Sequence, residues 1–77
     1  MMNEEEIKHH LMSANTNFRR LADEHQLYED KLRELYSRHM TDSEHLEELT
    51  LKKKKLHLKD QMSMMIQKFR NEALQHT

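Results

Sequence analysis

No glycine, no proline and no cysteine occurs in the 77 residues of this chain. Without cysteine there is no disulfide framework and no thiolate metal site. Without glycine the backbone lacks its usual route to positive φ, which Gly-rich phosphate loops and two-residue β-hairpin turns require. Walker-type, dinucleotide-binding and nucleophile-elbow loops are therefore excluded. Without proline, no helix is broken from within. Aromatic residues are scarce: two tyrosines, two phenylalanines and no tryptophan. No run is apolar enough to span a bilayer, and Glu4, Glu5 and Glu6 stand where a secretory signal would be basic. A cytoplasmic location is the expectation, with no membrane partner. Helix is what remains.

The residues that are present agree. Charged and apolar residues each make up 35%, with a net charge of −1. That mixture suits a solvent-laced helix or coiled coil, and periodic apolar positions separate it from disorder. The chain reads as one domain, 1–77. A fold this small buries only roughly 60% of its unfolded surface, so idealised helix packing or oligomerisation is expected to support it.

Three helices are predicted, over about 3–12, 16–38 and 43–75. Asn3 followed by three glutamates is an N-cap with acids in the first turn. Ser13 to Asn17 prefer caps and turns, so a break falls there, with an N-cap at Asn15 or Thr16. Phe18, Leu21, His25, Tyr28, Leu32, Leu35 and His39 then recur at spacings of three and four, an a/d seam over three heptads. Glu29 with Arg33 and Glu34 with Arg38 form (i, i+4) pairs in the favourable orientation. Thr41 and Glu44 match a capping box, so Arg38 to Asp42 should be the bend between antiparallel helices.

The third helix carries apolar residues on two sides. Leu46, Leu49 and Leu56 form one stripe; Leu51, Leu58, Met62, Met65, Ile66 and Phe69 form the other. One stripe can face the second helix. The other needs the short N-terminal helix or another copy of the chain. Because the third helix is longer than the second, its Met-rich end, Met62, Met64 and Met65, is expected to overhang. Methionine adapts to irregular partners, so the Leu51, Leu58, Met62, Met65, Ile66 and Phe69 stripe is assigned to self-association or a protein partner.

Phe18-x-x-Leu21-x-x-x-His25, followed by Leu51-Lys52-Lys53-x-Lys55-Leu56-x-Leu58-Lys59-Asp60-x-Met62, resembles the YdcH-like family of small bacterial helical-hairpin proteins over about residues 5–68. Family members commonly bend at Gly or Pro, where this chain has Arg38-His39-Met40-Thr41-Asp42. The resemblance implies a short α-helical protein with coiled-coil character. It implies no enzymatic activity and no catalytic residue.

The lysine run offers a second reading. Lys52, Lys55 and Lys59 could contact nucleic-acid phosphates, together with Lys53 and Lys54. Consecutive lysines point around the helix, however, and no aromatic is interleaved for base stacking. Solvated lysines snorkelling over leucines are the plainer account. A polar contact is also expected in the helix–helix seam. If Leu35 opposes Leu46, Leu21 lies near Asp60 and His25 near Leu56. Asp60 would then meet His25 or Arg20 and set the register. Seven histidines raise the question of a metal. Adjacent His9 and His10 diverge around a helix and no third ligand is fixed by spacing, so no metal or cofactor is expected. The expectation is an all-α antiparallel helical hairpin with a short N-terminal helix, assembling as a homo-oligomeric bundle. Its function would be a non-enzymatic interaction or scaffold module, with a nucleic-acid-associated protein as the alternative.

Overall fold

The computed structural model describes residues 2–75. Met1, His76 and Thr77, which the expected domain 1–77 includes, lie outside the described residues. Three helices account for the described chain, with no strand among its residues: α1 Glu4–Ala14, α2 Thr16–Tyr36 and α3 Asp42–Gln75. The 34 residues of α3 reach roughly 51 Å at about 1.5 Å per residue. That sets the long dimension of the molecule, 54 × 19 × 17 Å.

Local chemistry explains the ends. Asn3 caps α1 with a reciprocal box: its side chain accepts from the Glu6 N–H at 2.9 Å, and its own N–H donates to Glu6 Oε1 at 3.3 Å. The break between α1 and α2 is a single extended residue, Asn15, narrower than the expected 13–17. Its N–H donates to the Leu11 carbonyl at 2.9 Å, ending α1, while its Oδ1 accepts the Phe18 N–H at 2.9 Å, starting α2. One side chain thus serves two helices and reverses the chain between them. Asn15→Ala should cost about 1 kcal/mol and lower the melting temperature by about 4–8 °C. Asn15→Asp, which keeps the acceptor, should hold it, as thermal denaturation followed by circular dichroism would show.

The second helix stops at Tyr36 rather than Arg38. Ser37 Oγ donates to the Glu34 carbonyl at 2.7 Å and closes the last turn. Thr41 and Glu44 form the capping box of α3: the Thr41 N–H donates to Glu44 Oε1 at 3.0 Å, and the Glu44 N–H to Thr41 Oγ1 at 3.2 Å. Arg38 reaches across the bend to Glu44. No described residue adopts positive φ, so the bend needs no glycine. The expected pairs change with it: Arg38 leaves Glu34 for Glu44, and Arg33 pairs with Asp30 at 3.3 Å instead of Glu29.

Hydrogen bonds from Thr41, then from Arg38, hold the Glu44 carboxyl below its ordinary range. The ionised form is therefore favoured by folding. That stabilisation is present above the unfolded carboxylate pKa and is lost as pH falls through the lowered one. Glu44→Gln keeps a capping side chain without the charge. Its melting temperature should fall less steeply than the native protein's below about pH 4.3; parallel acid limbs would count against the assignment.

Two apolar clusters hold the helices together. Near the bend, Leu32 and Leu35 of α2 pack on Leu51 of α3, with Tyr28 and Met40 beside them. At the far end, Ile7 and Leu11 of α1, Phe18 of α2 and Ile66 of α3 meet, flanked by Met62, Met65 and Phe69. Contacts therefore descend along α2 as they ascend along α3, so the two run in opposite directions. The His10 and Phe69 rings, 5.0 Å apart, seal α1 onto α3. Consequently the Met-rich end of α3 does not overhang. The first helix folds back over Met62 and Met65, while Met64 stays exposed on the opposite side.

Candidate interaction surface

That covering changes which face of α3 is available. Leu51, Leu58 and Ile66 are buried, and Met62, Met65 and Phe69 are partly buried against the same core. The stripe assigned to a partner or oligomer interface is thus occupied within a single chain. The physical reason is that Leu32 and Leu35 of α2 cover Leu51, while the short N-terminal helix covers the Ile66 end with Ile7 and Leu11, which would otherwise face water. The stripe left open is the other one. Leu46, Leu49 and Leu56 are 68%, 60% and 57% exposed, and Met64 is 72% exposed.

The register moves accordingly. Leu35 packs with Leu51, not Leu46, a shift of about one helical turn. It turns Asp60 outward: Asp60 is exposed, as is Arg20, and neither meets His25. The expected register contact is corrected on this point. A polar contact that does cross the seam joins Lys55 Nζ to Glu29 Oε1 at 3.2 Å, between the two apolar clusters and nearer the bend. His25 stands 4.0 Å from the same carboxylate oxygen. Local pairing on α2 concealed this contact in the sequence, because Glu29 also had Arg33 within reach.

The lysines of the run have different surroundings. Lys52 lies 3.3 Å from Glu48 and over the Tyr36 ring at 5.9 Å. Hydrogen bonding to Tyr36, then to Glu48, raises its pKa, while the Tyr36 hydrogen bond, then Lys52, lowers that of Glu48. Lys54 lies over the Tyr28 ring at 5.9 Å, and Lys55 is held by Glu29. Lys59 lines a cleft with Glu4, Lys8, His25 and Glu29. Intramolecular partners thus engage Lys52, Lys54 and Lys55, and the cleft mixes both signs of charge.

Among the described residues, no three His, Cys, Asp or Glu side chains come together to hold a metal ion. No helix of the described residues is long and apolar enough to cross a membrane. These features define a small all-α protein with one long helix covered on a single side. The chain belongs to the DUF465 family, described as a protein of unknown function, whose profile matches residues 18–66. This is the YdcH-like family that the sequence resembles. The matched span starts at Phe18 and ends at Ile66, two members of one buried cluster, and leaves α1 outside. No curated protein and no solved structure matches the chain.

Proposed function

We propose that this chain is a non-enzymatic cytoplasmic interaction module, a coiled-coil-like helical hairpin that self-associates as a bundle through an apolar stripe of α3. The observation that carries the reading is the line of Leu46, Leu49 and Leu56, exposed on the side of α3 away from the core. Single exposed leucines are ordinary on protein surfaces, but three on one side of a helix form a seam.

Full burial of a leucine contributes roughly 1.5–3 kcal/mol, while association costs about 4–15 kcal/mol. A face of this size therefore supports reversible, concentration-dependent assembly rather than an obligate oligomer. Sedimentation across a concentration series tests it: the native chain should associate and Leu56→Asp should stay monomeric. Raising the salt should leave most of the association in place. Binding to nucleic acid would instead weaken steeply with ionic strength. A native chain that remains monomeric at every concentration overturns the reading.

A further inference from the structure

The open face of α3 carries more than leucines. At about 100° per residue, Leu46, Leu49, Lys53, Leu56, Asp60 and Met64 fall within a sector of roughly 80°. All six are exposed. Lys53 and Asp60 differ from Lys52, Lys54 and Lys55 in one respect. Lys52, Lys54 and Lys55 are engaged inside the chain, whereas Lys53 and Asp60 have no ion pair or hydrogen bond among the described residues. An unpaired cation and an unpaired anion thus stand on the apolar seam, three residues before Leu56 and four after it. Leu49 and Met64 flank them, seven before and eight after.

This pattern reads almost the same in both directions, with the sign of charge reversed. We infer that α3 pairs with α3 of a second copy in antiparallel, two-fold symmetric fashion centred between Leu56 and His57. Lys53 then meets Asp60 of the partner subunit, Asp60 meets the partner's Lys53, and Leu49 packs against the partner's Met64. A two-fold interface repeats each contact, so one lysine and one aspartate supply two complementary pairs. Parallel pairing in register would set lysine on lysine and aspartate on aspartate, which opposes it. The apolar residues drive the association; the two charges select its direction and register. The inference rests on the self-association reading above and adds the geometry of the pair.

Charge reversal tests that geometry without touching the core. At low ionic strength, K53E and D60K should each weaken association about tenfold, since two attractive pairs become repulsive. The double variant K53E/D60K should return to within about twofold of native, because its pairs are again complementary. The chain has no cysteine, so introduced thiols give an independent readout. Leu49→Cys should cross-link to Met64→Cys in a mixture, as a disulfide needs Cα atoms within about 7 Å, and should not cross-link to itself. If Leu56→Asp dissociates the native assembly but both charge variants associate normally, the antiparallel pairing falls and the apolar-face reading stands. Self-linking of Leu49→Cys alone would likewise overturn it in favour of parallel pairing. A native chain that is monomeric throughout removes both.

Discussion

Phe18→Ala is expected to abolish cooperative folding or to lower the melting temperature by at least about 12 °C, at roughly 4 °C or more per kcal/mol for a domain of this size. Phe18 is 1% exposed and sits where all three helices meet, against Ile7, Leu11 and Ile66. Truncating a buried phenylalanine costs about 3–5 kcal/mol through lost burial and the cavity left behind. At about 0.05–0.15 kcal/mol per residue, a chain of this length has only roughly 4–12 kcal/mol of stability in all. The loss is therefore about a quarter of the total or more. Leu27→Ala is the matched control. Leu27 is on α2 as well but 51% exposed, and its replacement should change stability by no more than about 0.5 kcal/mol. Thermal denaturation by circular dichroism reads both. A fall below about 4 °C for Phe18→Ala would mean that α1 is not docked at this junction, since one kcal/mol alone accounts for that much.

Two leucines two positions apart should respond in opposite ways to the same substitution. Leu58 is 6% exposed and Leu56 is 57% exposed. Leu58→Asp places a carboxylate in the core with no cation built to receive it. An uncompensated buried charge costs several kcal/mol, so the variant should lose its cooperative transition. Leu56→Asp places the same group in water. Its helicity and melting behaviour as a monomer should be close to native, within about 0.5 kcal/mol, while its ability to associate is lost. Circular dichroism with sedimentation on the two variants separates folding from assembly. If Leu58→Asp stays folded and loses only association, the Leu51, Leu58 and Met62 stripe faces another molecule rather than α1 and α2.

Which side of α3 is buried is not legible within α3 itself. Both sides of α3 carry leucines at helical spacing, and nothing within α3 distinguishes the inner side from the outer. The choice depends on α1, some fifty residues away in sequence, whose Ile7 and Leu11 close over Ile66. The exposed residues Leu46, Leu49 and Met64 are visible as apolar positions in the sequence. By spacing alone Leu46 and Leu49 fit a face toward α2, and Met64 falls with the Met-rich end of the other stripe. By sequence Lys53 belongs with its neighbours to one basic run, and Asp60 falls on the seam. Only the register, with Leu35 on Leu51, turns both outward.

Helix content, the three segments and their caps were determined by the sequence alone. A cap such as Thr41 with Glu44 or Asn3 with Glu6 joins residues three apart, and the apolar period of α2 repeats within one turn, so both are legible over short windows. Tertiary structure alone decided the reversal of α1, the buried side of α3, and the pairing of Glu29 with Lys55 in place of Asp60. Those outcomes compare packings that differ by where distant helices meet. Local sequence supports each of them equally, and burying the two sides of α1 and α2 against a single face of α3 selects one.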